Sequence, residues 1–125
     1  MPDITEGPGP YRFPIMKRGD TFRARNIATI TQAGLPLAVT AAHLQVRAKN
    51  GGAVLLEWLT ADNTITITGA GSNVVRLSAK TSGQMKLIPP GTHDYDLEVK
   101  FASDGADITI LKGQFPVEAD VTRTI

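Results

Sequence analysis

The sequence predicts an all-β protein, an antiparallel β-sandwich of about seven to nine short strands. Two observations lead to this fold class. Apolar and polar residues alternate along several short segments, and turn signals rich in Gly, Pro, Asn and Asp recur roughly every 8–12 residues between them. Almost no segment has the period of an amphipathic helix. With 125 residues the chain is long enough to form one domain with its own core.

Residues 89–101 form the clearest predicted strand, and we expect it to be the central one. A Pro-Pro-Gly turn opens the segment. Apolar and polar side chains then alternate without a break: Tyr95, Leu97, Val99 and Phe101 on one side, and Asp94, Asp96, Glu98 and Lys100 on the other. A period of two indicates a strand with one buried face and one face in water.

Further strands are predicted before and after this segment. In chain order they occupy residues 15–30 (one or two strands), 40–49, 53–60, 64–68, 74–79 and 107–117. A slip in the apolar phase near Asn26 indicates a β-bulge. Residues 53–60 are also compatible with a helix, but their shortness and the preceding glycines favour a strand.

Two other segments carry specific expectations. Residues 81–87 are predicted to form one helical turn that the following prolines end. In the last strand, the period of two predicts that Ile108, Ile110 and Lys112 share one face. Trp58 and Tyr95 are expected to be core anchors.

The N-terminal residues 1–14 are predicted to form an extended arm, followed by the domain at residues 15–125. Four of the eight prolines fall in the arm, and proline disfavours both helices and inner strands. Tyr11 and Phe13 are its large apolar residues. We expect such an arm to be ordered by docking on a neighbour.

The charge of the chain is small but unevenly distributed. A net charge of +1 predicts no general attraction to nucleic acid or to a membrane. Basic residues nevertheless dominate positions 12–25, whereas acidic residues dominate from position 94 onward. The chain has no cysteine, which excludes disulfides and thiolate chemistry.

Residues of catalytic or metal-binding type are few. The acids of residues 94–98 could bind Ca²⁺, but an ordinary solvated strand face is the favoured interpretation. His93 beside Asp94 resembles a catalytic pair only in sequence, and no nucleophile has a recognisable context. His43 and His93 lack the spacing of metal ligands. The sequence therefore predicts no catalytic residue, no metal and no cofactor, and a protein that is not an enzyme.

Three motifs in one order resemble a known domain. They are Arg-Gly-Asp-Thr-Phe at 18–22, Gly-Leu-Pro-Leu at 34–37, and Pro-Gly-Thr at 90–92 followed by Tyr-Asp-Leu-Glu-Val at 95–99. Over roughly residues 17–123 the chain resembles the small immunoglobulin-like domain of bacteriophage virion proteins, known as the N-terminal domain of baseplate upper proteins. The resemblance implies an immunoglobulin-like β-sandwich and a structural role in tail, baseplate or neck.

The resemblance also implies a location in the virion after synthesis in the host cytoplasm. The expected partners are other virion proteins and copies of the same chain, with no small-molecule substrate. From the arm and the charge distribution we predict a set of protein-docking residues: Tyr11, Arg12, Phe13, Lys17, Arg18, Asp94, Asp96 and Glu98. Two alternatives are a capsid decoration protein and a β-sandwich module that binds carbohydrate or a cell surface.

Overall fold

A computed structural model describes residues 3–4, 13–17, 19–32, 34–49 and 52–119 of the chain. The strands within these ranges are β1 (Asp3–Ile4), β2 (Met16–Lys17), β3 (Arg25–Gln32), β4 (Leu35–Pro36), β5 (Val39–Arg47), β6 (Val54–Leu59), β7 (Ile65–Thr68), β8 (Val74–Leu77), β9 (Gly91–Phe101) and β10 (Asp107–Glu118). One short helix, α1 (Ser82–Met85), precedes β9. No helix in the described part of the chain is long and apolar enough to cross a membrane.

The strands form two sheets. The β3 sheet has the order β1-β3-β8-β7, with β4 also paired to β3, and the β9 sheet has the order β2-β10-β9-β5-β6. The longer strands pair antiparallel, whereas the two-residue strands β1 and β2 pair parallel with β3 and β10. This is the arrangement of an immunoglobulin-like sandwich, in which one sheet has the order A-B-E-D and the other G-F-C-C′. The predicted fold class is confirmed, and β9 lies in the middle of its sheet as expected.

The core lies between the two sheets and is rich in aromatic and branched aliphatic side chains. Trp58 and Tyr95 are buried as predicted. The indole Nε1 of Trp58 donates a hydrogen bond to the Ser78 carbonyl at 3.0 Å, which satisfies the one polar group of that ring. Along β9 the burial alternates from His93 to Phe101, so the apolar face of this strand packs inward.

Local structure confirms some of the sequence-based expectations. The register of β3 against β8 shifts between Asn26 and Ala28, where the bulge was predicted. Residues 54–59 form a strand, not a helix. The helical turn is present, and a capping box formed by Thr81 and Gln84 begins it.

The prediction that Ile108, Ile110 and Lys112 of β10 share one face was wrong. The register of β10 against β9 shifts between Thr109 and Leu111. Because a bulge changes which side chains share a face, Ile110 and Leu111 are both buried, and Lys112 is exposed. Lys112 therefore lies on the outer face of the sheet, away from the buried Ile110.

Parts of the predicted arm take part in the sandwich. Asp3 and Ile4 pair with Thr29 and Ile30 of β3. The Phe13 side chain is only 4% exposed and packs within the core. The N-terminal segment thus contributes to both a sheet and the core, and we do not retain Phe13 as a docking residue.

The outer edge of β6 is closed by hydrogen bonds from the β7 side of the domain. Lys80 Nζ donates to the Glu57 carbonyl at 2.7 Å. Thr64 Oγ1 accepts from the Leu59 amide at 2.7 Å, and the Thr64 amide donates to the Leu59 carbonyl at 3.0 Å. Lys80 is 7% exposed, and its ammonium lies 5.1 Å from the ring centre of Trp58. Capping these groups removes hydrogen-bonding sites through which another strand could add to the sheet.

Candidate functional site

Apart from Phe13, which is buried in the core, the predicted docking residues divide into three groups. Asp94, Asp96 and Glu98 are exposed on the outer side of β9. Lys17 ends the short strand β2, where its backbone pairs with Glu118. The remaining residues Tyr11, Arg12 and Arg18 lie outside the described part of the chain.

The outer side of the β9 sheet is the main candidate surface, and the strand register sets its layout. Each acid of β9 has one neighbour on β5 and one on β10. The three rows across the sheet are Arg47–Asp94–Gln114, Gln45–Asp96–Lys112 and His43–Glu98–Thr109. We call this surface the charged face; it consists of these nine residues together with Glu57 of β6 and Lys100 of β9.

A chain of hydrogen bonds fixes the β5 and β6 side of the charged face. His43 Nε2 and Gln45 Nε2 both donate to Glu57 Oε2, at 2.6 and 2.7 Å. Arg47 in turn donates to Gln45 Oε1 from Nη2 at 2.8 Å and from Nε at 3.0 Å. The Gln45 hydrogen bond, and after it the His43 hydrogen bond, lower the pKa of Glu57 below its usual value. Glu57 is therefore a carboxylate whose Oε2 already accepts two hydrogen bonds within the face.

The acids of β9 differ from Glu57 in this respect. Within the described residues, Asp94, Asp96 and Glu98 belong to no ion pair. Their neighbours in the register include Arg47 and Lys112, but neither cation lies within ion-pair distance of them. Three carboxylates at alternate positions of the central strand are thus free to accept hydrogen bonds from another molecule.

The charged face is concave in its middle. A shallow depression of about 460 Å³ lies there, with side chains of β5, β9 and β10 around it: Gln45, Arg47, Asp94, Asp96, Lys112 and Gln114. Small-molecule sites are usually lined mainly by apolar and aromatic side chains around a few polar groups. The charged and amide ends of the side chains around this depression can orient a bound molecule, and Tyr95 and Gly113 also line it.

The arrangement does not assemble the catalytic or metal sites that were weighed from the sequence. His93 points inward, where its Nε2 lies 2.7 Å from the Pro89 carbonyl, whereas Asp94 points outward. These two side chains occupy opposite sides of β9 and cannot act as a pair. Among the described residues, no group of three or more His, Asp or Glu side chains is placed to hold a metal ion.

The core burial also bears on the carbohydrate-binding alternative. Trp58 and Tyr95 are 0% and 2% exposed. A sugar-binding platform needs an aromatic ring face open to solvent, and neither of these rings offers one.

Arginine residues also lie on and beside the β3 sheet, but they do not share one of its faces. The register places Asn26 of β3 opposite Arg76 of β8 and Arg25 opposite Leu77. Arg25 stacks 4.2 Å from the ring centre of Phe22, and its Nε donates to the Arg23 carbonyl at 3.1 Å. Because residues opposite each other in a register share a face, Arg25 lies on the face of the buried Leu77, and Arg76 lies on the outer face with Asn26.

Arg23, Arg25 and Arg76 have no acidic partner among the described residues. Arg76 Nη1 donates to Asn26 Oδ1 at 3.1 Å, which is a hydrogen bond to a neutral group. Within the described part of the chain, Arg23, Arg25 and Arg76 form no ion pair.

The strand order and buried core together define the chain as an immunoglobulin-like β-sandwich domain. No protein-family model and no curated protein matches the sequence. Among solved structures, the chain is similar to CopC from Methylosinus trichosporium OB3b, with a TM-score of 0.49 and 12% identity. That alignment covers 88% of this chain and 89% of CopC. At this identity and score, the likeness supports no argument about function.

Proposed function

We propose that this chain is a non-catalytic structural module of a bacteriophage particle, located in its tail, baseplate or neck. In this role it docks on other virion proteins through the charged face. The resemblance of residues 17–123 to virion domains supports the setting. The observation that carries the docking role is the row of three β9 carboxylates without ion-pair partners among the described residues.

The chemistry of the charged face indicates what kind of partner would bind there. Five carboxylates, counting Asp107 beside Lys100, stand against the three permanent cations Arg47, Lys100 and Lys112. The Lys100–Asp107 pair is already formed, with 3.1 Å between Nζ and Oδ1. The central carboxylates therefore favour a partner that presents arginine or lysine side chains, and such pairs contribute mainly specificity and association rate.

Purified particles from a host that carries the gene test this proposal. We expect mass spectrometry to find the chain in the particles at a fixed ratio to the other virion proteins. The double variant Asp94→Lys/Asp96→Lys should be synthesised and folded but recovered from particles in a smaller amount. Lys49→Glu, an exposed charge change in the turn after β5, is the matched control and should be incorporated normally.

Two results would count against the proposed function. If the wild-type chain is missing from purified particles, the virion role is wrong. If the Asp94→Lys/Asp96→Lys variant is incorporated as well as the Lys49→Glu control, the charged face is not the docking surface.

A further inference from the structure

The depression in the charged face is shaped by the lengths of the side chains around it. Asp94 and Asp96 of the central strand have short side chains. Their neighbours on β5 and β10 have longer ones: Gln45, Arg47, Lys112 and Gln114. Short side chains on the middle strand between longer ones on both sides leave a trough that follows β9. The floor of this trough is acidic, and its rim carries cations and amides.

The shape and the charges of this trough define the conformation of its occupant. We propose that the trough binds an extended segment of a partner protein, and that this segment carries arginine or lysine at alternate positions. The inference rests on the proposed function in taking the charged face to be a docking surface. It adds the backbone conformation of the partner and the spacing of its basic side chains.

The spacing of the acids on β9 sets the pattern of the basic residues. Asp94, Asp96 and Glu98 are exposed at alternate positions of one strand, so successive acids are about 6.7 Å apart along it. A second extended chain has the same rise per residue, so each of its side chains that points toward the sheet can meet one acid. Basic residues at alternate positions therefore engage the three carboxylates in succession. In a run of three consecutive basic residues, the middle side chain points away from the sheet.

The width of the trough favours an extended segment over a helix. Strands β5 and β10 both pair with β9, so they lie about 9–10 Å apart, twice the distance between neighbouring strands. A helix with its side chains is about 10–12 Å across. It would therefore rest on the rim of the trough, whereas an extended chain can lie between the rim side chains.

The rim offers hydrogen-bond donors to the backbone of such a segment. Arg47 lies beside Asp94 on the β5 side, and Lys112 lies beside Asp96 on the β10 side. The carbonyl groups of an extended chain point alternately to its two sides, so donors on both rims can reach them. Arg47 is held in position, because its Nε and Nη2 donate to Gln45 Oε1 and Gln45 itself donates to Glu57. Ordering this side chain in advance reduces the entropy that association must overcome.

Fluorescence anisotropy on the full chain tests this inference with two labelled heptapeptides of equal composition and charge. The first, Thr-Arg-Thr-Arg-Thr-Arg-Thr, has arginine at alternate positions, and the second, Thr-Thr-Arg-Arg-Arg-Thr-Thr, has three consecutive arginines. Because only the spacing differs, a general attraction to positive charge gives equal affinities. The wild type should bind the alternating peptide about two- to fivefold more tightly, because that peptide makes one more charge pair with β9.

Two double variants locate the binding. Asp94→Asn/Asp96→Asn keeps the size of both side chains but leaves only Glu98 charged, so it should bind both peptides weakly and equally. The control Asp20→Asn/Glu118→Gln removes the same two negative charges at exposed residues outside the charged face, and it should bind like the wild type. Circular dichroism should show both variants folded.

Three results would overturn the inference. They are a wild type that binds neither peptide, a wild type that binds both equally, and an Asp94→Asn/Asp96→Asn variant that keeps the preference for the alternating peptide. None of these results concerns recovery of the chain from purified particles. The proposed function is therefore judged separately, by the incorporation of the wild type and of Asp94→Lys/Asp96→Lys.

Discussion

Truncation of Phe13 should destabilise the whole domain, although this residue falls in a segment that the sequence assigned to an arm. The Phe13 ring is 4% exposed and packs against Tyr95 and Phe115, with ring centres 4.7 and 4.8 Å apart. A third aromatic ring, Phe22, lies at 6.2 Å. Replacing a buried Phe by Ala removes its transfer free energy and leaves a cavity, which costs about 3–5 kcal/mol.

This loss is a large fraction of the roughly 5–15 kcal/mol by which a domain is usually stable. At this chain length about 4 °C of melting temperature corresponds to each kcal/mol, so Phe13→Ala should melt about 12–20 °C below the wild type. Urea unfolding followed by tryptophan fluorescence gives the same comparison, because Trp58 is the one tryptophan of the chain.

The matched control is Ile15→Ala in the same segment. Ile15 is 63% exposed, so its truncation should change stability by less than about 0.5 kcal/mol. If Phe13→Ala is as mild as Ile15→Ala, the ring does not belong to the core. The assignment of Phe13 to a docking arm would then be restored.

Two further predictions concern Lys80 and Gly71. Burial lowers the pKa of Lys80 below its usual value of 10.5, so as pH rises toward 10.5 the folded chain releases this proton before the unfolded chain does. The stability of the wild type relative to Lys80→Met should therefore rise with pH. A stability difference in urea unfolding that stays constant from neutral to alkaline pH would contradict this. In Gly71→Ala the new Cβ would lie 2.9 Å from Pro36 Cγ and closer still to its Cβ, which should cost about 1–3 kcal/mol in thermal unfolding. Gly83→Ala meets no atom nearer than 3.9 Å and should be neutral or slightly stabilising, so equal losses in both variants would refute the steric argument.

The sequence predicted β9 well because that strand obeys one simple period along its whole length. Tyr95 and Phe101 alternate with acids, no proline or glycine interrupts them after the opening turn, and burial follows the alternation. The acidic half of the charged face could be predicted for the same reason. The class of fold followed from the spacing of such segments and their turns.

The parts that could not be predicted depend on register or on contacts between distant segments. A single bulge in β10 moved the side chains after Thr109 to the opposite face of the sheet from the one predicted. A fixed period of two along the sequence cannot represent such a shift. The hydrogen bonds that join His43 and Gln45 to Glu57 require the pairing of β5 with β6. Phe13 was assigned to an extended arm because the prolines around it indicate an extended chain. An extended chain can pack its side chains into a core as well as project away from the domain.

The parallel pairing of β2 with β10 gives the domain a particular response to mechanical load. Met16 and Lys17 lie beside Val117 and Glu118, so the first and the last strand of the β9 sheet are neighbours. A pull on the two ends in opposite directions slides these parallel strands along each other, so their hydrogen bonds are loaded together and not opened one after another. Rupture under force is governed by the unfolding rate, which such shear-loaded contacts slow. A domain held by both ends would be protected against forces that act along its chain.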